Sequence, residues 1–149
     1  MRLTPKYVQG VVMMIQVFCG KRGSGKTKAL IGLANDKVSE SKGHIVYIDD
    51  NKRPLLQLDK AIRFVDASDF DLNQGKSFYA FLCGMISEDY DIDTIFVDGL
   101  FSIVDLVNED AAHLFSGLES LTKEINIQLY ININSDNQPA PEFIKKYVA

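Results

Sequence analysis

The chain has 149 residues, 46% of them hydrophobic and 24% charged, a composition that excludes a disordered chain and leaves little room for a second core. Its 16 basic and 20 acidic side chains give a net charge of -4, which offers no general attraction to nucleic acid or to anionic membranes. We therefore expect one globular domain and disfavour nucleic acid as a partner.

The first residues precede the pattern from which a fold can be predicted. Met13 and Met14 stand where the first apolar strand begins, so we predict that residues 1–12 are a leader or a disordered N-terminus and that residues 13–149 form the domain. The apolar run at 11–18 is too short to span a bilayer and contains Gln16, so no membrane insertion is expected.

Strands and helices alternate along the rest of the chain. In chain order, apolar periodicity predicts a strand at 14–19, a helix at 27–40, a strand at 44–48, a helical stretch at 55–61, a strand at 62–65, a helix at 77–86, a strand at 94–97, a helix from 108 to 121, a strand at 127–133 and a short helix opened by Pro141. Asn108 is a candidate N-cap. This order predicts an α/β fold, a three-layer α/β/α domain with a mostly parallel five-stranded sheet.

One motif lies between the first predicted strand and the first predicted helix. It reads Gly20-Lys21-Arg22-Gly23-Ser24-Gly25-Lys26-Thr27 and matches the full phosphate-binding pattern G-x-x-x-x-G-K-[ST]. Its glycines let the backbone N–H groups turn inward toward phosphate oxygens, and the helix adds the positive end of its dipole. Lys26 is expected to reach the β and γ phosphates, and the Thr27 hydroxyl is expected to bind Mg²⁺.

Two further strands end in carboxylates. The apolar run Thr94–Val97 is followed by Asp98, which we interpret as a second Mg²⁺-binding position of the Walker B type, with a simple turn residue as the alternative. Asp49 and Asp50 follow the strand at 44–48. Asp49 is the better candidate for orienting an attacking water, and a solvated turn is the alternative for both residues.

These motifs resemble the P-loop NTPase superfamily over nearly the whole chain. The loop, Asp98 and a last strand with a polar end are similar to the RecA-like and HerA/FtsK-like ATPases and to small ATPases labelled PilT-like. The resemblance implies ATP and Mg²⁺ as ligands and a γ-phosphate sensor at Asn134 or Asn132. Gly99 departs from this group, because many RecA-like members carry a water-activating Glu after the strand-end Asp.

A second resemblance, to the dimerising MinD/ParA-type ATPases, rests on Lys21 and on the acidic end of the strand at 44–48. Arg22 breaks the Gly-Gly of that family, and the family's Asp-x-Pro is absent after Asp98. For Lys21 and Arg22, we prefer solvated cations near the polyphosphate to contacts across a dimer.

Other functions fit the sequence less well. Few arginines argue against a small-molecule kinase, and the run from Asn132 to Asp136 lacks the guanine-reading motif that the resemblance would require of a GTPase. His44 and His113 have no zinc-ligand spacing, and the acidic stretch 88–93 lacks the glycine of a calcium loop. Cys19 and Cys83 lie in apolar runs, which favours reduced, buried thiols and a cytoplasmic location.

The resulting hypothesis is a Mg²⁺-dependent, ATP-binding hydrolase with weak or partner-stimulated turnover, in which Lys26, Asp49 and Asp98 are the catalytic candidates. A non-catalytic, nucleotide-dependent switch that signals to a protein partner is the competing hypothesis. Both are compatible with a monomer or a homodimer.

Overall fold

The structure, a computed structural model, describes residues 2–105, 108–135 and 140–149, apart from the side chains of residues 11, 12, 108 and 109. A small antiparallel hairpin, β1 (Tyr7–Val8) and β2 (Val11–Val12), comes first. The main strands are β3 (Ile15–Gly20), β4 (His44–Asp49), β5 (Ile62–Asp66), β6 (Ile92–Val97) and β7 (Gln128–Asn134). The α-helices are α1 (Lys26–Lys37), α2 (Gly75–Glu88), α3 (Leu100–Ile103), α4 (Asn108–Ile125) and α5 (Glu142–Lys145).

The main sheet has five strands in the order β3-β7-β6-β4-β5, and all neighbouring pairs are parallel. Strand β7, the last in the chain, therefore lies between β3 and β6. Because all five strands are parallel, their carboxyl ends meet at one edge of the sheet, where open α/β sheets bind ligands. The predicted α/β/α fold with a five-stranded sheet is confirmed.

Two separate hydrophobic clusters cover the two sides of the sheet. Apolar residues of α1, among them Leu30 and Leu33, pack on one side, which we call the α1 face. The helices α2 and α4 pack on the opposite side, with Phe78, Leu82 and Phe115 fully buried there. Side chains alternate between these faces along each strand, so residues two apart share a face.

A row of aromatic side chains crosses the α1 face, one from each strand. In sheet order it consists of Phe18, Tyr130, Phe96, Tyr47 and Phe64, and neighbouring ring centroids are 5.0 to 6.5 Å apart. Two residues further along the same strands, at the carboxyl edge, stand Gly20, Asn132, Asp98, Asp49 and Asp66. We call this second set the edge row. It lies on the same face as the aromatic row, because successive side chains alternate.

Three details differ from the sequence prediction. The helical stretch expected at 55–61 is a 3-10 helix at Arg53–Leu56, with Pro54 in its first turn. The helix α1 ends at Lys37, a few residues earlier than predicted, and α3 was not predicted. The side chain of Asn108, the candidate cap of α4, lies outside the described part of the structure.

The N-terminal segment contacts the domain through a buried amide. The Gln16 side chain is fully buried, and its Oε1 accepts a hydrogen bond from the Lys6 backbone N–H at 2.5 Å. Its Nε2 donates to the carbonyls of Lys6 at 3.3 Å and Met13 at 3.1 Å. Leu3 packs against the hydrophobic cluster of the α1 face. These contacts satisfy a buried polar group that otherwise has a desolvation cost.

The two cysteines are only partly buried. Cys19 and Cys83 are free and half-buried against the core, whereas the sequence predicted buried thiols. No helix within residues 2–105, 108–135 and 140–149 has the length and hydropathy to cross a membrane.

Candidate functional site

Two glycines of the loop after β3 have a left-handed backbone conformation. Gly23 and Gly25 have φ angles of +79° and +86°, in the left-handed region that other residues rarely adopt. Gly20 leaves little room for a side chain. A Cβ at Gly20 would lie 3.1 Å from Cδ of Lys26 and 3.2 Å from Oγ of Ser24, so these side chains would have to shift slightly.

The Lys26 side chain folds inward beneath the loop. Only 5% of the residue is exposed, and its ammonium donates to the carbonyl oxygens of Gly20 at 2.9 Å and Lys21 at 2.7 Å. The residues Lys21 to Gly25 are exposed around it. The loop therefore combines an accessible backbone with a buried cation at its centre, an arrangement suited to an anion rather than to a neutral ligand.

The helix that follows has an open N-terminus. Gly25 occupies the N-cap position of α1 and makes no side-chain cap hydrogen bond, and the first turn contains no acidic residue. The first N–H groups of a helix have no partner within the helix and carry its positive dipole end. The start of α1 thus adds to the positive potential that the loop and Lys26 create.

Thr27 and Asp98 meet at the carboxyl edge. The Thr27 hydroxyl donates to Oδ1 of Asp98 at 3.2 Å, and the Tyr47 hydroxyl donates to Oδ2 at 2.8 Å. Asp98 is 5% exposed. Burial and the nearby Asp98 charge raise the pKa of Tyr47, so its hydroxyl keeps its proton and donates. The two predicted metal-binding side chains are therefore brought together.

The oxygens of Thr27 and Asp98 suit a magnesium ion. Mg²⁺ binds hard oxygen ligands at roughly 2.0–2.1 Å in an octahedron, in which neighbouring ligand atoms are about 3 Å apart. The separation of 3.2 Å between the Thr27 and Asp98 oxygens is close to that spacing. A hydroxyl and a carboxylate are the expected protein share of such a shell, with water and phosphate oxygens completing it.

Asp49 lies beside Asp98 on the neighbouring strand. The preceding residues, Ile48 and Val97, are register partners, so the two carboxyl groups leave adjacent strands at the same level. Asp49 is 4% exposed, and burial, followed by the Asp98 charge, raises its pKa to about 8. Near neutral pH, Asp49 therefore holds a proton in the absence of a cation.

The environment of Asp49 differs from a solvated turn. Its Oδ1 accepts hydrogen bonds from the Asp50 backbone N–H at 2.6 Å and from Nδ2 of Asn51 at 3.2 Å. Asp50 is half-buried, and the alternation of side chains directs it away from the α1 face. The structure thus brings Asp49, and not Asp50, into the edge row.

The two candidate sensor residues occupy β7, between the loop strand and the Asp98 strand. Asn134 is the register partner of Gly20. Asn132 is buried, and its Oδ1 accepts a hydrogen bond from the backbone N–H of Gly99. Asn132 thereby fixes the backbone directly after Asp98, whereas Asn134 lies next to the start of the loop.

Sequence reasoning missed Tyr47 and Asp66 as parts of this edge. Tyr47 holds Asp98, and Asp66 is the register partner of Asp49. A recurring pattern in the sequence would have revealed both. Every strand of the main sheet has an aromatic residue two positions before its edge-row residue. The five tripeptides are F-C-G, Y-I-D, F-V-D, F-V-D and Y-I-N, in chain order.

One cavity lies away from the edge row. A cleft of about 600 Å³ opens between α2 and α4, with Lys76, Tyr79, Asp105 and His113 in its wall, and its described lining includes no residue of the edge row. Its wall mixes both charge signs with an aromatic ring, which defines no ligand class.

A second group of titratable side chains lies at the opposite edge of the sheet. Nδ1 of His44 and Oδ2 of Asp89 are 2.6 Å apart. One ring nitrogen of His44 and one carboxylate oxygen each of Asp89 and Asp91 lie within 4.8 Å of one another. Hydrogen bonding to Asp89 raises the pKa of His44. The sequence spacing of His44 gave no hint of this cluster, since β4 and the turn before β6 bring it together.

In comparisons with known proteins, the chain matches no family model and no curated protein.

Proposed function

We propose that this chain is an ATP-binding protein of the P-loop NTPase type that uses Mg²⁺ and hydrolyses ATP weakly or on stimulation by a partner. The observation that carries the proposal is the convergence of three side chains. Lys26 lies buried at the centre of the glycine loop, and Thr27, the next residue, donates to Asp98 at the edge of the sheet. A simple glycine turn requires neither the inward lysine nor the distant carboxylate.

Each group has a separate role in binding a triphosphate. The exposed loop backbone and the uncapped start of α1 would donate N–H groups to phosphate oxygens. The Lys26 ammonium would neutralise the β and γ phosphates, and these charge-assisted hydrogen bonds are the strong ones. Thr27 and Asp98 would hold Mg²⁺, which supplies charge stabilisation to the phosphates when it is bound.

Hydrolysis requires a group that orients water, and Asp49 is the proposed one. It adjoins Asp98, and a pKa of about 8 makes its carboxylate a stronger base than an ordinary aspartate. Asn134, the register partner of Gly20, is the proposed sensor of the γ-phosphate. ATP is proposed over GTP on sequence grounds, and Asp136, part of that argument, lies outside the described residues.

A second candidate function is a nucleotide-dependent switch without turnover. The observation that favours it is that Asp49 is buried and already accepts two hydrogen bonds from its own loop. Its raised pKa also means that it holds a proton near neutral pH. A MinD/ParA-like dimer remains the third proposal, supported by the exposure of Lys21 and Arg22. A cytoplasmic location and a protein partner likewise remain proposals.

Calorimetry with ATP and Mg²⁺ tests the binding proposal. Lys26→Ala should weaken ATP binding by about tenfold or more, through loss of charge-assisted contacts. Lys28→Ala is the matched control, because Lys28 is an exposed lysine in the same turn of α1. We expect its affinity to stay within about twofold of the wild-type value, as exposed charges contribute little. Unchanged affinity in Lys26→Ala would refute the site.

Phosphate release separates the enzyme from the switch. Turnover in the wild-type protein that falls in Asp49→Ala supports hydrolysis with Asp49 as the water-orienting group. ATP binding without turnover in either protein supports the switch. Sedimentation with a non-hydrolysable ATP analogue tests the dimer proposal, since an unchanged monomer contradicts it.

A further inference from the structure

The two oxygens of the Asp98 carboxylate are held by donors from two different elements. Oδ1 accepts from Thr27 at the start of α1, and Oδ2 accepts from the Tyr47 hydroxyl, which β4 supplies. A carboxylate held at only one oxygen can rotate about its terminal bond, whose torsional preference is broad. Two donors on opposite oxygens remove that freedom and fix the direction in which Oδ1 points.

The position of Tyr47 is itself fixed. The residue is fully buried, and its ring lies in the aromatic row between Phe64, with centroids 6.5 Å apart, and Phe96, at 6.0 Å. Its strand is paired on both sides, with β5 and with β6. The hydroxyl therefore cannot follow a moving carboxylate, and it acts as a rigid donor.

This rigidity bears directly on the proposed metal site. Mg²⁺ demands near-ideal octahedral geometry, so its affinity depends on how accurately the protein oxygens are placed. Partners that hydrogen-bond a ligating carboxylate orient it, and their loss typically costs about 10- to 100-fold in metal affinity. Tyr47 is such a partner of Asp98 by position, and it bonds Oδ2, whereas Thr27 bonds Oδ1.

We infer that Tyr47 is a positioning residue that orients the Asp98 carboxylate for Mg²⁺, an inference that rests on the function proposed above. Its hydroxyl determines the Mg²⁺ concentration that nucleotide binding requires. The affinity for the nucleotide without Mg²⁺ depends instead on the loop and Lys26. The aromatic row thus has a role beyond packing, since one of its members supports the site.

The test is Tyr47→Phe, which removes the hydroxyl and keeps the ring. A fluorescent, non-hydrolysable ATP analogue is bound first in EDTA and then with increasing Mg²⁺. The variant should bind the analogue in EDTA within about twofold of wild type, while the Mg²⁺ concentration for half-maximal enhancement rises about tenfold or more. Tyr130→Phe is the matched control, because the hydroxyl of this other tyrosine in the aromatic row donates to Gln128 instead, at 2.8 Å. It should leave the Mg²⁺ requirement unchanged.

A coupled measurement guards against general damage to the fold. In an Asp98→Asn background, adding Tyr47→Phe should cause no further change in Mg²⁺ requirement, because both act through one carboxylate. Additive effects of the two substitutions would overturn the role of Tyr47, and so would a Tyr47→Phe protein with the wild-type Mg²⁺ requirement. Neither result would overturn the proposed function. A wild-type protein that binds no analogue with or without Mg²⁺ would instead overturn the proposed function itself.

Discussion

The hydroxyl of Thr27 lies 3.2 Å from Oδ1 of Asp98, although 71 residues separate them in the chain. They meet because α1 starts at the carboxyl edge of the sheet and β6 ends there. One strand, β7, lies between the strand that leads to Thr27 and the strand that ends before Asp98. The contact is thus a product of strand order.

Replacing Thr27 tests this contact as a metal site. Thr27→Val keeps the shape and removes the hydroxyl, so the Mg²⁺ concentration that half-saturates ATP binding should rise about tenfold. Thr27→Ser keeps the hydroxyl and should stay near the wild-type value. Magnesium titrations monitored by the fluorescent analogue compare the two. Equal Mg²⁺ requirements for Val and Ser at this position would contradict the assignment.

The carboxyl pair predicts an unusual pH dependence of stability in the metal-free protein. The pKa of Asp49 is raised from 3.8 to about 8 by burial and by Asp98. Between these values the folded state holds a proton that the unfolded chain releases, so the free energy of unfolding falls as pH rises from about 4 to about 8. Asp49→Asn should remove this loss and stabilise the protein at pH 7 by roughly 1 kcal/mol or more.

Urea unfolding in EDTA at several pH values measures the effect. Asp66→Asn is the control from the same edge row, because hydrogen bonds from Ser68 lower the pKa of Asp66. That variant should not gain stability at pH 7. An Asp49→Asn protein with the wild-type pH profile would show that Asp49 is not protonated in the folded state.

Replacement by alanine should change the stability of the protein in opposite directions at Gly25, the N-cap of α1, and at Gly32, within that helix. Gly25 has a φ of +86°, so Gly25→Ala should destabilise the protein by roughly 1–2 kcal/mol through backbone strain alone, as a Cβ there meets nothing within 4 Å. Gly32 lies within α1, and a Cβ there would also meet nothing within 4 Å. Gly32→Ala should stabilise the protein by roughly 0.5–1 kcal/mol. The midpoints of urea unfolding measure both effects. A Gly32→Ala protein less stable than wild type would contradict the gain expected from helix propensity.

Removal of residues 1–12 tests whether they belong to the domain. The buried Gln16 amide would lose its two hydrogen bonds to the Lys6 backbone, so the shortened protein should lose roughly 1–3 kcal/mol of stability. Gln16→Leu in the shortened protein should recover part of this loss, because no polar group is then left unpaired. An unfolding midpoint equal to that of the whole chain would support the leader predicted from the sequence.

The recurrence of one tripeptide shows how far sequence reasoning reaches and where it stops. F-V-D occurs at the end of β5, and again where β6 ends and Asp98 follows it, yet only Asp98 was interpreted as a site residue. Repetition alone gives no order for the strands. Asp49 neighbours both Asp98 and Asp66 because β4 lies between β6 and β5, a position that its place in the chain does not imply.

The amino-acid sequence alone was enough to predict the loop, since G-x-x-x-x-G-K-T specifies its own backbone through glycines and a helix start, which are local properties. It also determined the alternation of strands and helices, because periodicity is local as well. The fold was needed to show that Tyr47 donates to Asp98, that burial beside Asp98 raises the pKa of Asp49 and that Gln16 binds Lys6. These depend on strand order and burial, which arise when distant segments pack and exclude water.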